Sequence, residues 1–105
     1  MIFVETSVFT RQLPSLLNDD EYRELQMALT QRPDAGVLIV GSGGLRKVRW
    51  AARGHGKRGG VRVIYYWAVS HDQILMLLIY AKNVQDDLTP KQLRLLKVIV
   101  EEEYP

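Results

Sequence analysis

The apolar residues of this chain follow two periods, and the change between them divides it into helices and strands. Ile2-Phe3-Val4 is short, apolar and β-prone, which predicts a first strand. Phe9, Leu13, Leu16 and Leu17 recur at helical spacing behind Thr6 or Ser7, either of which can cap the helix. Pro14 falls inside that pattern and predicts a short helix or a kink. Asn18-Asp19-Asp20-Glu21 is a second helix start, with acids at the positive end of the dipole. Tyr22, Leu25, Ala28 and Leu29 then mark a buried face, and Pro33-Asp34-Ala35-Gly36 stops it. Beyond residue 44 the period shortens. Residues 45–50, 61–67 and 74–82 read as three strands. The last is almost continuously apolar, as in a central strand covered on both faces. His71-Asp72 makes the turn before it, and a connection this short requires antiparallel pairing. Thr89-Pro90 opens a final helix with Leu93, Leu96 and Val100 inward and Ile99 beside them. Glu101-Glu102-Glu103 lies at the unfavourable end of that dipole, so this end is expected to fray or to serve a basic partner. The predicted order is β-α-α-β-β-β-α: an α+β fold with N-terminal helices and one C-terminal helix against a small, mostly antiparallel sheet.

Length supports one domain over residues 1–105, and a 47% hydrophobic composition supplies one core. With no cysteine, a disulfide framework and a zinc-thiolate site are both excluded. Met1-Ile2-Phe3-Val4-Glu5 lacks the basic start of a signal peptide. The longest apolar run, Ile74-Leu75-Met76-Leu77-Leu78-Ile79-Tyr80-Ala81, is far shorter than the ~20 residues of a membrane helix. A soluble, cytoplasmic protein with no membrane partner is expected.

Charge changes this picture. Residues 35–71 contain no acid and carry Arg46, Lys47, Arg49, Arg53, Lys57, Arg58 and Arg62, a formal +7. The remainder carries seven bases and twelve acids, or −5, so the net +2 conceals a strong separation. A cationic sheet on a small protein most often meets a polyanion, commonly nucleic acid.

The candidate chemistry follows from strand alternation. Lys47 and Arg49 share a face of one strand, Arg62, Ile64 and Tyr66 of the next, and Tyr80 and Lys82 of the third. Should these faces coincide, four cations and two phenols converge. Tyr66 and Tyr80 are then candidates to stack on a base or position a phosphate. Trp50 and Trp67 read as core or partner-facing residues. Gly54-His55-Gly56-Lys57-Arg58-Gly59 matches a dinucleotide-binding string by letter, but a strand follows it where that motif needs a helix. No Ser or Thr follows Lys57, so a P-loop fails as well. The better reading is a basic hairpin loop whose Arg53, Lys57 and Arg58 bind RNA phosphates. Its alternative is a solvated loop that binds nothing. His55 sits among cations, which favours a neutral imidazole, but a glycine-rich loop holds a catalytic base poorly. His71 reads as a turn residue, so a two-histidine ribonuclease is not expected. Asp19-Asp20-Glu21, Asp86-Asp87 and Glu101-Glu102-Glu103 read as helix-end or surface acids rather than metal ligands. Ser42 and Ser70 lack the base and carboxylate that would make either a nucleophile.

Several strings taken together resemble the RelE/ParE toxin superfamily, and most of all its HigB-like branch of RelE toxins. They are Gly43-Gly44-Leu45-Arg46-Lys47-Val48-Arg49-Trp50-Ala51, Gly56-Lys57-Arg58-Gly59-Gly60, Arg62-Val63-Ile64-Tyr65-Tyr66, Ile79-Tyr80-Ala81-Lys82-Asn83 and Asp87-Leu88-Thr89. The resemblance covers nearly the whole chain and is strongest over residues 41–96. It implies a microbial-RNase-like fold and cleavage of mRNA in the ribosomal A site. It further implies neutralisation by a cognate antitoxin, a small helix-turn-helix protein through which the pair reaches operator DNA. By position, Lys47 and Arg49 fall on the family's basic strand pair, and Arg62 on the arginine of its glycine-x-arginine strand. Lys82 lies beside the basic position that ends the last strand, occupied here by Asn83. The family's archetype has a tyrosine soon after that strand, whereas Gln85-Asp86-Asp87-Leu88-Thr89 has none.

Attack of a ribose 2′-OH on the adjacent phosphate needs a proton acceptor, a proton donor and cations on the phosphorane oxygens, but no cofactor. Lys47, Arg49, Arg62 and Lys82 are the candidate catalytic residues. Arg62 suits the phosphorane, and Lys47 or Lys82, with cations for neighbours, the proton transfers. Arg46, Arg53, Lys57, Arg58, Tyr66 and Tyr80 are the candidate RNA-binding residues. An arginine on such a face is expected to gain little stability from its neighbours. The alternative to an mRNA-cleaving toxin is a non-enzymatic protein, either a ParE-like gyrase inhibitor or an RNA-binding module.

Overall fold

Local signals place most of the helices. The computed structural model describes residues 1–52 and 60–105. After strand β1 (Ile2–Glu5), the Thr6 hydroxyl accepts from the Phe9 amide and opens helix α1 (Ser7–Gln12). Pro14 ends it in one 3-10 turn over Leu13–Ser15. Helix α2 (Asp19–Gln31) starts in a capping box, where Asn18 and Glu21 satisfy each other's backbone amides at 2.8 and 2.9 Å. Strands β2 (Val37–Leu38), β3 (Leu45–Trp50), β4 (Val61–Ala68) and β5 (Gln73–Ala81) follow, then helix α3 (Pro90–Glu103).

The sheet order is β1-β5-β4-β3-β2. β1 runs parallel to β5, and the other neighbours pair antiparallel. β5 is therefore interior, as its continuous apolar run predicts. The two-residue edge strand β2 is an addition to the predicted order. Asp72 turns the chain between β4 and β5 in the left-handed conformation, at φ 51°.

Helices cover both faces. On one, Phe9, Leu16, Leu17, Leu25 and Leu29 pack on Val61, Val63, Tyr65, Ile74, Met76 and Ile79. On the other, Leu93, Leu96, Ile99 and Val100 of α3 pack on Leu45, Ile64, Leu75, Leu77 and Tyr80. Pairing slips between Ile64 and Tyr65, whose partners are Leu78 and Met76. Leu77 is the extra residue, and this bulge lets Leu77 and Leu78 both serve the α3 core. The acidic end of α3 remains helical through Glu103. Tyr104 then anchors it by donating to Gln73 Oε1 at 2.9 Å and packing its ring on Tyr66 and His71.

Candidate active site

The sheet face that packs against α3 also carries cations. On the same face the registers place Arg49 across from Arg62, and Arg62 across from Tyr80 of the α3 core. Lys47 lies across from Ile64 in the next row. Directly opposed side chains stand only about 5 Å apart at Cβ, so the two arginines repel unless an anion compensates them.

The compensation comes from the loop between β5 and α3. Asp86 Oδ1 lies 3.5 Å from Arg62 Nε, and Asp87 Oδ1 accepts from Lys47 Nζ at 2.5 Å. The Arg62 guanidinium also donates to the Val61 carbonyl at 3.3 Å. This loop is fastened at both ends. The Tyr80 hydroxyl donates to the Asp86 carbonyl at 3.0 Å. Gln85 Nε2 donates to the Asp87 carbonyl at 2.8 Å and to Gln92 Oε1 at 2.5 Å. Gln92 forms the α3 capping box with Thr89, so the loop is tied to the helix start. The Lys47 ammonium, as hydrogen-bond donor and as charge, holds the Asp87 carboxyl below its ordinary value, and Arg49 and Arg62 act in the same direction. Asp86 and Asp87 were expected to be helix-end or surface acids. Both are exposed surface acids, and they are also the counter-ions of two candidate catalytic residues, a role that sequence reading missed because it belongs to a contact 24 to 40 residues away.

Three expectations need correction. Arg62 is only 4% exposed, so it is a buried, ion-paired arginine and not one lying loosely on a surface. Lys47 has a carboxylate beside it, so cations alone do not define its surroundings. Tyr80, 8% exposed, belongs to the α3 core with its hydroxyl spent on the loop, which leaves no open ring face for a base.

The other candidates divide. Arg49 is exposed on the cationic face. Lys82 is exposed just past β5, where its amide donates to the Gly60 carbonyl at 3.1 Å. Tyr66 shares the face but sits roughly 13 Å of strand away from Arg62, against Tyr104. Arg46 alternates to the other face and donates to the carbonyls of Asp34 and Gly36, at 3.2 and 2.8 Å. The register thus does not bring Tyr66 or Arg46 to the Arg62 cluster. Arg53, Lys57 and Arg58, with His55, lie outside the described residues. Ser42 is a turn residue, accepting from the Leu45 amide at 3.0 Å. Trp50 and Trp67 pack against the first core. Among the described residues no helix is long and apolar enough to cross a membrane.

The chain matches a known family over most of its length. A family model described as the RelE toxin of the RelE/RelB toxin–antitoxin system matches residues 7–103. The chain belongs to the RelE toxin family. That match spans both helical layers and every strand but β1, so it covers all the described residues of the cationic face.

The site also bears on stability at high pH. Burial, then the charges of Asp87 and Asp86, push the Tyr80 phenol up to about 12 from an ordinary value of 10.0. Burial raises Tyr65 as well, a residue that donates to the Pro33 carbonyl at 2.7 Å. A raised folded-state value means that the unfolded chain loses this proton first. The stabilising contribution is therefore complete below pH 10 and is lost as pH rises through about 12. Phenolate absorbance is expected to rise together with loss of structure between these limits. Tyr80→Phe should move that transition to higher pH, and an unmoved transition would remove Tyr80 from its cause.

Proposed function

We propose that this member of the RelE family is a ribosome-dependent endoribonuclease that cleaves mRNA in the A site and stops translation. The supporting observation is that Arg49, Arg62 and Lys47 share one sheet face. In this reading the 2′-oxygen attacks the adjacent phosphorus and gives up its proton. The bond from phosphorus to the 5′-oxygen breaks, that oxygen receives a proton, and a 2′,3′-cyclic phosphate remains. Arg62 and Arg49 hold fixed charge against the phosphorane oxygens, where planar donors match the geometry. Lys47 and Lys82 are the proposed proton carriers, since each ammonium can give a proton up and its amine can take one. The A site supplies the mRNA conformation that aligns the 2′-oxygen. A small helix-turn-helix antitoxin, bound to operator DNA, holds the toxin inactive.

Expression without antitoxin should arrest growth by halting translation. Purified protein should cut ribosome-bound mRNA between codons and free mRNA poorly. Intact mRNA together with trapped gyrase–DNA complexes would replace this reading with that of a gyrase inhibitor.

A further inference from the structure

Two features of the loop 83–89 stand out once the site is assembled. Its acids do not spread over the surface: two consecutive carboxylates reach two different strands and meet Arg62 of β4 and Lys47 of β3. Nor is the loop placed there by charge alone. Tyr80, Gln85 and the Thr89–Gln92 capping box fix its backbone, so the carboxylates are carried to the cations by neutral hydrogen bonds. Such a framework holds the loop backbone beside the cations even where salt weakens the ion pairs, and leaves the carboxylate side chains free to rotate.

We propose that Asp86 and Asp87 are built-in phosphate surrogates, which occupy two phosphate subsites of the cationic face and must be displaced before a polyanion can bind there. The proposal rests on the RNA-cleaving reading for what that polyanion is, but not for the exchange itself. Carboxylate and phosphate oxygens carry charge of the same sign and form the same kind of ion pair with arginine and lysine. Asp86 therefore marks one subsite at Arg62, and Asp87 a second at Lys47. The acids are the exposed members of their pairs, with side chains 56% and 78% accessible, against 5% for Arg62 and 20% for Lys47. Acids so exposed can swing out while the cations stay in place. The device selects against weak, single anions, because each must compete with a tethered carboxylate. A nucleic acid that engages both subsites displaces both acids in one event and so gains from multivalency.

Calorimetric titration with inorganic pyrophosphate at low salt tests the exchange without requiring RNA cleavage. Asp86→Asn with Asp87→Asn should bind pyrophosphate about tenfold more tightly than the parent, the effect of releasing two partly exposed pairs. Glu101→Gln with Glu102→Gln changes net charge equally at the exposed end of α3 and should gain much less. A thermal melt checks folding. If the double variant does not fold, Asp87→Asn alone carries the test through the Lys47 subsite, with a gain of about threefold. Equal affinity in variant and parent, or an equal gain in the remote control, would overturn the proposal. So would single-turnover cleavage that collapses at unchanged anion affinity, which would make a carboxylate the proton acceptor. A parent that leaves ribosome-bound mRNA intact, in an experiment where the variant still gains pyrophosphate affinity, would refute the nuclease reading and leave the exchange standing.

Discussion

Arg62→Lys is expected to lower single-turnover cleavage of ribosome-bound mRNA by about 10²-fold or more while the protein still melts cooperatively near the parent temperature. Lysine keeps the charge beside Asp86 and most of the buried stem, but not the planar fork that matches two phosphorane oxygens. Arg62→Ala is a poorer probe, because the side chain is buried and its Nε lies 3.5 Å from Asp86. Its removal leaves a cavity beneath the loop and should cost roughly 2–3 kcal/mol. Cleavage assays paired with urea melts separate the two effects. Full cleavage and full toxicity in Arg62→Lys would show that the guanidinium does not act on the phosphate.

The largest effect on stability should come from Gly60→Ala. Gly60 sits at φ +71°, and a Cβ there would lie 2.2 Å from the Trp50 carbonyl oxygen. That contact is with backbone, so the side chain cannot be accommodated by a rotamer change. Either β3 or β4 must shift at the end that carries Arg49 and Arg62. A cost above ~3 kcal/mol is expected, a large part of the ~5–15 kcal/mol that holds a small domain. Gly43→Ala provides the comparison. It has the same kind of backbone, φ +72°, but nothing stands within 4 Å of its Cβ, so only the conformational term of about 1 kcal/mol remains. Equal costs in the two variants would mean that the Trp50 contact is relieved without loss.

Legibility varied element by element, and for physical reasons. Helix α2 and helix α3 were readable because their start signals, Asn18 followed by three acids and Thr89 followed by Pro90, are adjacent in the bare sequence; the structure adds a capping box to each. β5 was readable as an interior strand because burial on both faces leaves a continuous apolar run. The pairing of Arg49 with Arg62 was within reach, since alternation along a hairpin sends both to one face once the register is fixed. β2 was not readable. It has only two residues, both exposed, and it exists because β3 offers an edge to pair with. The reach of Tyr66 was overestimated, because sharing a strand face does not bring a residue four positions along the strand to the same row, and Tyr66 packs on Tyr104 instead.

The sequence by itself determined the α+β architecture, the cationic centre of the chain and the strings that mark a RelE toxin, because periodicity, capping and charge are local properties. Only the tertiary structure decided which cations stand together and what opposes them. Arg46 faces away, while Asp86 and Asp87 fold back onto Arg62 and Lys47. A net charge counts acids and bases without regard to distance. Electrostatic energy depends on distance, and it is the path of the loop from β5 to α3 that brings those acids to within 3.5 Å of their cations.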